Sequence, residues 1–102
     1  MRMNINLVAI CDKEMVAKVL EQTCEKLGYN INCEIQGEDY MIDKLSDEVL
    51  DKADAILIVT QREFEQIEDN ERFKNRNYYQ VLPIFVIQDA INIISEVVED
   101  LK

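Results

Sequence analysis

Cys11 stands where an apolar run, Ile5 to Ile10, gives way to an amphipathic helix. At that corner of an α/β unit the helix offers unpaired N–H groups and the positive end of its dipole. Both stabilise a thiolate and bind anions. Cys11 is therefore the candidate catalytic residue. The residues after it, Asp12, Lys13, Glu14 and Met15, include no glycine and no hydroxyl of the kind that lines a phosphate-cradling loop. Asp12, Lys13 and Glu14 are the candidate ligand contacts in the loop. Arg62, placed after a later strand, is a further candidate anion contact.

The other two thiols read as core. Cys24 falls on the apolar stripe of the first helix and Cys33 on the inward face of the second strand, the usual places of a free cysteine. A thioredoxin-type C-x-x-C would need cysteine at Glu14. A low-molecular-weight phosphatase loop would need arginine where Ala17 stands. The chain has no histidine, which excludes imidazole metal sites, Ser-His triads and phosphohistidine on this chain. Two glycines and one proline exclude a glycine-rich phosphate loop. Asp and Glu are dispersed over solvated helix faces, with no catalytic carboxylate pair signalled. No metal and no organic cofactor is implied.

At 102 residues the chain is long enough for one core, so residues 1–102 are read as a single domain. A net charge of −10 disfavours nucleic acid and anionic lipid and favours a basic protein partner. No apolar run reaches the ~20 residues of a membrane span, so no direct membrane insertion is expected. Met1-Arg2-Met3-Asn4 lacks signal-peptide features, and three cysteines at unrelated spacings make no disulfide framework. A cytoplasmic location is the expectation.

These side chains need a frame to hold them. Asn4 to Ile10 reads as a strand covered on both faces. Asp12 is the expected N-cap of a helix with the stripe Val16, Val19, Leu20, Thr23, Cys24 and Leu27, closed by Gly28 at C′. Ile31, Cys33 and Ile35 alternate with Asn30, Asn32, Glu34 and Gln36, which predicts an edge strand with the polar set in water. Ser46 caps a short helix from about Asp47 to Lys52. Ala55 to Val59 is a central strand. Phe64, Ile67 and Phe73 are spaced to anchor a short helix within residues 61–77. Tyr78 to Leu82 is a fourth strand ending at Pro83. Ala90, Ile91, Ile94, Val97, Val98 and Leu101 mark a last helix; Ile84 to Ile87 reads as extended or as its first turn. The order β-α-β-α-β-α-β-α predicts an α/β, Rossmann-like, four-stranded parallel sheet of order 2-1-3-4 with helices on both faces. The switch point lies between the first and third strands, where Cys11 faces Thr60, Gln61 and Arg62.

Several motifs fall in one order: Val8-Ala9-Ile10-Cys11, Glu34-Ile35-Gln36-Gly37, Leu45-Ser46-Asp47-Glu48, Ala53-Asp54-Ala55-Ile56-Leu57, and Glu71-Arg72-Phe73 with Tyr79 beyond. In this pattern the chain resembles enzyme IIB of the fructose-type phosphotransferase system (PTS) from Met3 to about Leu101. The resemblance implies a cytoplasmic phosphoryl carrier for sugar transport. Cys11 would become a phosphocysteine, taking phosphate from a IIA protein and passing it to sugar held by a membrane IIC component. If active, the chain would be a protein-phosphocysteine sugar phosphotransferase.

The departure falls on the active loop. The family pattern C-P-T-G-x-A-H-T is replaced by Cys11-Asp12-Lys13-Glu14-Met15-Val16-Ala17-Lys18, with Ala17 on the histidine's position. A phosphocysteine beside Asp12 and Glu14 meets like charge, about 1 kcal/mol per pair at ~4 Å in water and about 4 at an effective dielectric near ~20. As N-cap, Asp12 would also occupy the N–H donors a phosphate needs. Lys13 and Lys18 offset part of this. The alternative is a degenerate IIB-like module that binds an unknown protein partner without transferring phosphate, its acidic loop read by a basic surface. A redox-sensing thiol is a third reading, opposed by the same acids. Arg72, in the E-R-F motif, is expected to pair with Glu71 or Glu68.

Overall fold

The computed structural model describes residues 4–101; Met1 to Met3, read above as the start of the chain, and Lys102 lie outside them. The continuous apolar run near the N-terminus becomes β1, Asn6–Cys11, so Cys11 is itself the last residue of the strand. Every residue from Leu7 to Cys11 is buried, as a parallel strand with both faces covered requires. α1, Glu14–Leu27, buries Val16, Ala17, Leu20, Thr23 and Cys24. Gly28 closes it with φ 81°, the left-handed conformation that glycine adopts without a Cβ penalty.

β2, Asn30–Gln36, and β4, Ala55–Val59, pair with β1 on either side, both parallel, and β5, Tyr78–Val81, pairs parallel with β4. The four expected strands thus take the expected order. A two-residue strand, β3 (Met41–Ile42), adds to β2 antiparallel and makes the sheet a mixed one of order β3-β2-β1-β4-β5. That addition has a local cause: Gly37 donates its N–H to the Tyr40 carbonyl at 2.9 Å and turns the chain back on itself. Only the end of β2 is covered this way, at Ile35 and Gln36.

One face of the sheet carries α1 and α3, Pro83–Asp100, around Leu7, Ala9, Cys11, Leu57 and Val59. The other carries α2, Asp47–Lys52, and the segment 61–77, around Val8, Ile10, Ile56 and Ile58. Ser46 caps α2 as expected, accepting the Val49 N–H at 3.3 Å. Segment 61–77 does not form the expected helix. Phe64, Ile67 and Phe73 do anchor it, but through two short 3₁₀ turns, Phe64–Gln66 and Asn70–Arg72. Asp69 between them takes φ 56°, which no α-helix can continue through.

α3 begins earlier than the apolar pattern from Ala90 suggested. Ile84 to Ile87 are helical, not extended, and Pro83 sits at the first turn, where its missing N–H costs nothing. Asp89 leaves helical geometry, and its carboxylate accepts the Asn92 N–H at 3.2 Å, so it caps the second segment. The kink rotates one half against the other. Ile91, read as core, is half exposed.

Candidate functional site

Cys11 reaches the carboxyl edge of the sheet level with Ile35 of β2 and Val59 of β4. Because its neighbours diverge there, one to each side, the switch point falls at Cys11 as expected. Cys11 lines a small crevice with Asp12, Gln36, Thr60 and Arg62, only about 10 Å³ in volume. The sequence-derived candidates Cys11, Asp12 and Arg62 therefore meet. Lys13 and Glu14 are exposed and do not line this crevice; Glu14 lines a separate 180 Å³ groove with Lys18 and Cys33.

Cys11 is 1% exposed. A hydrogen-bonding contact with the Cys33 thiol and burial push its pKa well up, and the charges of Asp12 and Glu21 push the same way. The contact follows from register. Ala9 faces Cys33 across the ladder, so Cys11, two residues on, shares its face. Cys33 is half-buried, and its Sγ–Ala17 carbonyl distance is 4.0 Å. Cys24 is buried, as read from sequence, and burial raises its thiol to about 11.

Asp12 does not cap α1. The N-cap is Lys13, extended at φ −141°, ψ 144°, and no side chain caps it. The Asp12 carboxylate instead has its Oδ1 buried without a partner among the described residues. The N-terminal N–H groups of α1 thus stay unclaimed by Asp12, contrary to the sequence expectation. A buried carboxylate oxygen beside the thiol takes the loop's place.

Gln36, which lines the crevice, and Glu34, two residues before it, are residues that sequence reasoning sent to solvent. Glu34 is fully buried and Gln36 is 4% exposed. Glu34 receives Arg72 in bidentate fashion, Nη1 to Oε1 and Nη2 to Oε2, both at 2.9 Å. It also accepts the Leu45 N–H at 2.8 Å and the Gln36 amide at 2.9 Å. Burial alone pushes the carboxyl pKa up; hydrogen bonds from Arg72, Gln36 and Leu45 outweigh it and hold Glu34 below the usual carboxylate range. The Gln36 amide also pairs with the Glu68 backbone, donating to its carbonyl and accepting its N–H, each at 3.0 Å. Arg72 therefore pairs with Glu34, and with Asp69 at 3.2 Å, rather than with Glu71 or Glu68. Its role is to fasten segment 61–77 to β2.

Arg62 is held at the crevice by Gln36 and Thr60. Its guanidinium donates to the Gln36 carbonyl, and its own N–H donates to Thr60 Oγ1 at 3.1 Å. Arg62 and Gln36 also line an open groove of 490 Å³ with Gly37, Tyr40, Gln66 and Glu68. Among the described residues no group of three or more His, Cys, Asp or Glu is arranged to hold a metal ion. No described helix is long and apolar enough to cross a membrane.

Cys11 thus ends β1 at the switch point of a mixed α/β sheet, beside the N-terminus of α1. The comparisons give the family. The model for the lactose/cellobiose-specific IIB subunit of the PTS matches residues 14–100, beginning just beyond Cys11. The fructose-like EIIB component 1 of Shigella flexneri is 33% identical over 95% of this chain and 94% of its own length. The fructose-like EIIBC component of Escherichia coli is 32% identical over 80% of this chain and 17% of its own. The solution structure of an enzyme IIB subunit from Escherichia coli K12 superposes with a TM-score of 0.86 at 29% identity, covering 97% of this chain and 95% of that one. A crystal structure of a predicted fructose-specific IIB from Escherichia coli gives 0.85 at 26%, covering 96% and 90%. The chain belongs to the PTS enzyme IIB family, with its relatives on the fructose-type side.

Proposed function

We propose that this chain serves a fructose-type PTS sugar-transport system as its IIB component, with Cys11 as phosphoryl acceptor. Family membership supports the role, and the placement of Cys11 at the carboxyl end of β1 is the observation that carries it. In the forward step the N–P bond of a donor phosphohistidine on a IIA protein breaks and an S–P bond forms to the Cys11 thiolate. In the second step a sugar hydroxyl held by IIC takes the phosphoryl group, and the thiol regains its proton. The named EIIBC relative supports a C component as one partner. The uncapped N-terminus of α1, with Lys13 and Lys18 on its first turns, supplies favourable charge for the intermediate. The reaction is expected in the cytoplasm.

A second reading rests on a specific observation: Cys11 is closed in, burial and the Cys33 contact push its thiol pKa up, and Asp12 lines the crevice with a buried, unpartnered oxygen. These features favour a IIB-fold module that binds its partners without carrying phosphate. One experiment separates the two. The chain is incubated with phosphoenolpyruvate, the general PTS proteins and a purified fructose-type IIA, and phosphate is located by mass spectrometry. Acid-labile phosphate on wild type and none on Cys11→Ser supports the carrier. An unlabelled wild type, under conditions that label a C-P-T-G-type IIB, refutes it and leaves the binding module.

A further inference from the structure

The sheet brings two of the three thiols together. Cys33 stands two positions before Ile35, the β2 residue level with Cys11, so both cysteines lie on the α1 face of adjacent parallel strands. Their side chains are in hydrogen-bonding contact. They differ in access. Cys11 is buried, whereas Cys33 is half-buried and lines the 180 Å³ groove with Glu14, Ala17, Lys18 and Glu21 of α1. A small solute in that groove meets Cys33 without entering the 10 Å³ crevice at Cys11.

An accessible thiol touching a closed one is the arrangement of an oxidisable pair. We propose that Cys11 and Cys33 are a dithiol that hydrogen peroxide, entering at Cys33, closes into a reversible disulfide. The Cys33 thiolate takes one oxygen from peroxide: the O–O bond breaks, hydroxide leaves and a sulfenic acid is formed. The Cys11 sulfur then attacks the Cys33 sulfur. The S–S bond forms, the S–O bond breaks, and the hydroxyl leaves with the Cys11 proton as water. Each sulfur gives up one electron, and one peroxide is reduced by two. Burial and the charges of Asp12 and Glu21 oppose direct oxidation of Cys11, so the first step falls on Cys33. Contact then replaces the encounter that the second step needs, an advantage on the order of 10⁵ M in effective concentration.

Sheet geometry makes the bond reversible. One strand spacing and two residues of offset put the Cα atoms ~8 Å apart. Relaxed bridges reach only about 6.8 Å, so closing this one draws the backbone inward. The movement falls at Cys11, the last residue of β1, where the ladder stops. A bridge closed against such strain is readily reduced. The oxidised chain has no thiol at Cys11 to take phosphate, but the bridge itself does not depend on the reading of the chain as a carrier.

The test exposes the folded full chain to hydrogen peroxide at pH 7.5, with wild type, Cys33→Ser, Cys33→Ala and Cys24→Ala run in parallel. Intact mass and non-reducing peptide maps are read over time. Wild type and Cys24→Ala should each lose the mass of two hydrogens, yield a Cys11–Cys33 peptide within the monomer, and regain both thiols in dithiothreitol. Both Cys33 variants should lose the Cys11 thiol about 10-fold more slowly or slower still. Consumption of Cys11 at the wild-type rate in either Cys33 variant overturns the proposal. So does oxidation that stops at Cys33, a bridge to Cys24, or a bridge found only between chains or only in denaturant. Phosphate on Cys11 of the reduced chain is read separately, so its absence would sink the carrier reading and leave the dithiol standing.

Discussion

Arg72→Leu is the substitution that most directly probes how the crevice is held. It removes the bidentate partner of Glu34, which has no exposed surface, together with the Arg72 bond to the Leu45 carbonyl at 3.2 Å. The remaining carboxylate is left buried with a neutral amide and one N–H. Breaking a buried pair from one side costs about 3–5 kcal/mol, because the leftover charge is uncompensated. For a domain of this size that lowers Tm by about 12 °C or more. The pH dependence separates this from a mere loss of packing. In wild type the folded pKa of Glu34 lies below its unfolded value, so its contribution is full above the unfolded value and is lost as pH falls through the folded one. In Arg72→Leu burial dominates and the folded pKa rises above the unfolded value, so protonation relieves the variant as pH falls. Urea melts at steps from pH 7 to about 3 should therefore show the gap between the two proteins narrowing. Glu34→Met/Arg72→Met should recover most of the loss at neutral pH. A gap below about 1 kcal/mol at pH 7, or one indifferent to pH, would refute the account of Glu34 as an ion-paired buried carboxylate.

Three further outcomes are expected. A maleimide at pH 7.5 should label half-buried Cys33 first and buried Cys11 and Cys24 far more slowly, since a contact with Cys33 and burial raise Cys11 and burial raises Cys24; labelling of Cys11 at the rate of Cys33 would contradict the closed crevice. Asp12→Asn should speed alkylation of Cys11 by up to about fivefold, the factor that a charge pair worth about 1 kcal/mol allows; an unchanged rate would mean that burial and the Cys33 contact alone protect the thiol. Gly28→Ala should cost about 1 kcal/mol in a chemical melt, because a Cβ is strained at φ 81°; a neutral result would show that the α1 terminus relaxes.

Most of the frame was legible because its signals are local. The runs at Leu7 to Ile10 and Ala55 to Val59 carry their own burial, and Gly28 and Ser46 their own termini. Alternation of strand and helix then implied the parallel order and put Cys11 at the switch point. The misreadings share a cause. Glu34 and Gln36 occupy the polar phase of an alternating strand, and nothing within reach of a window says that Arg72, 38 positions on, will fold over them. The Glu71-Arg72-Phe73 signature was visible, but its partner was sought among neighbouring acids. The pairing itself turns on the two 3₁₀ turns and the left-handed Asp69, which a charged stretch does not advertise.

Asp12 shows why the candidate site was harder to read than the fold. By residue type it is a good N-cap, and capping would have satisfied its carboxylate and spent the helix donors. The structure gives the cap position to Lys13, whose side chain makes no cap bond, and turns Asp12 inward with one oxygen unpaired. A buried, unpaired carboxylate oxygen is costly, so its position needs compensation elsewhere in the fold or a group that enters the crevice. The Asp12 turn leaves the first-turn N–H groups of α1 free for an anion while placing a negative charge beside the thiol that would carry it. Those two effects oppose each other at a single residue.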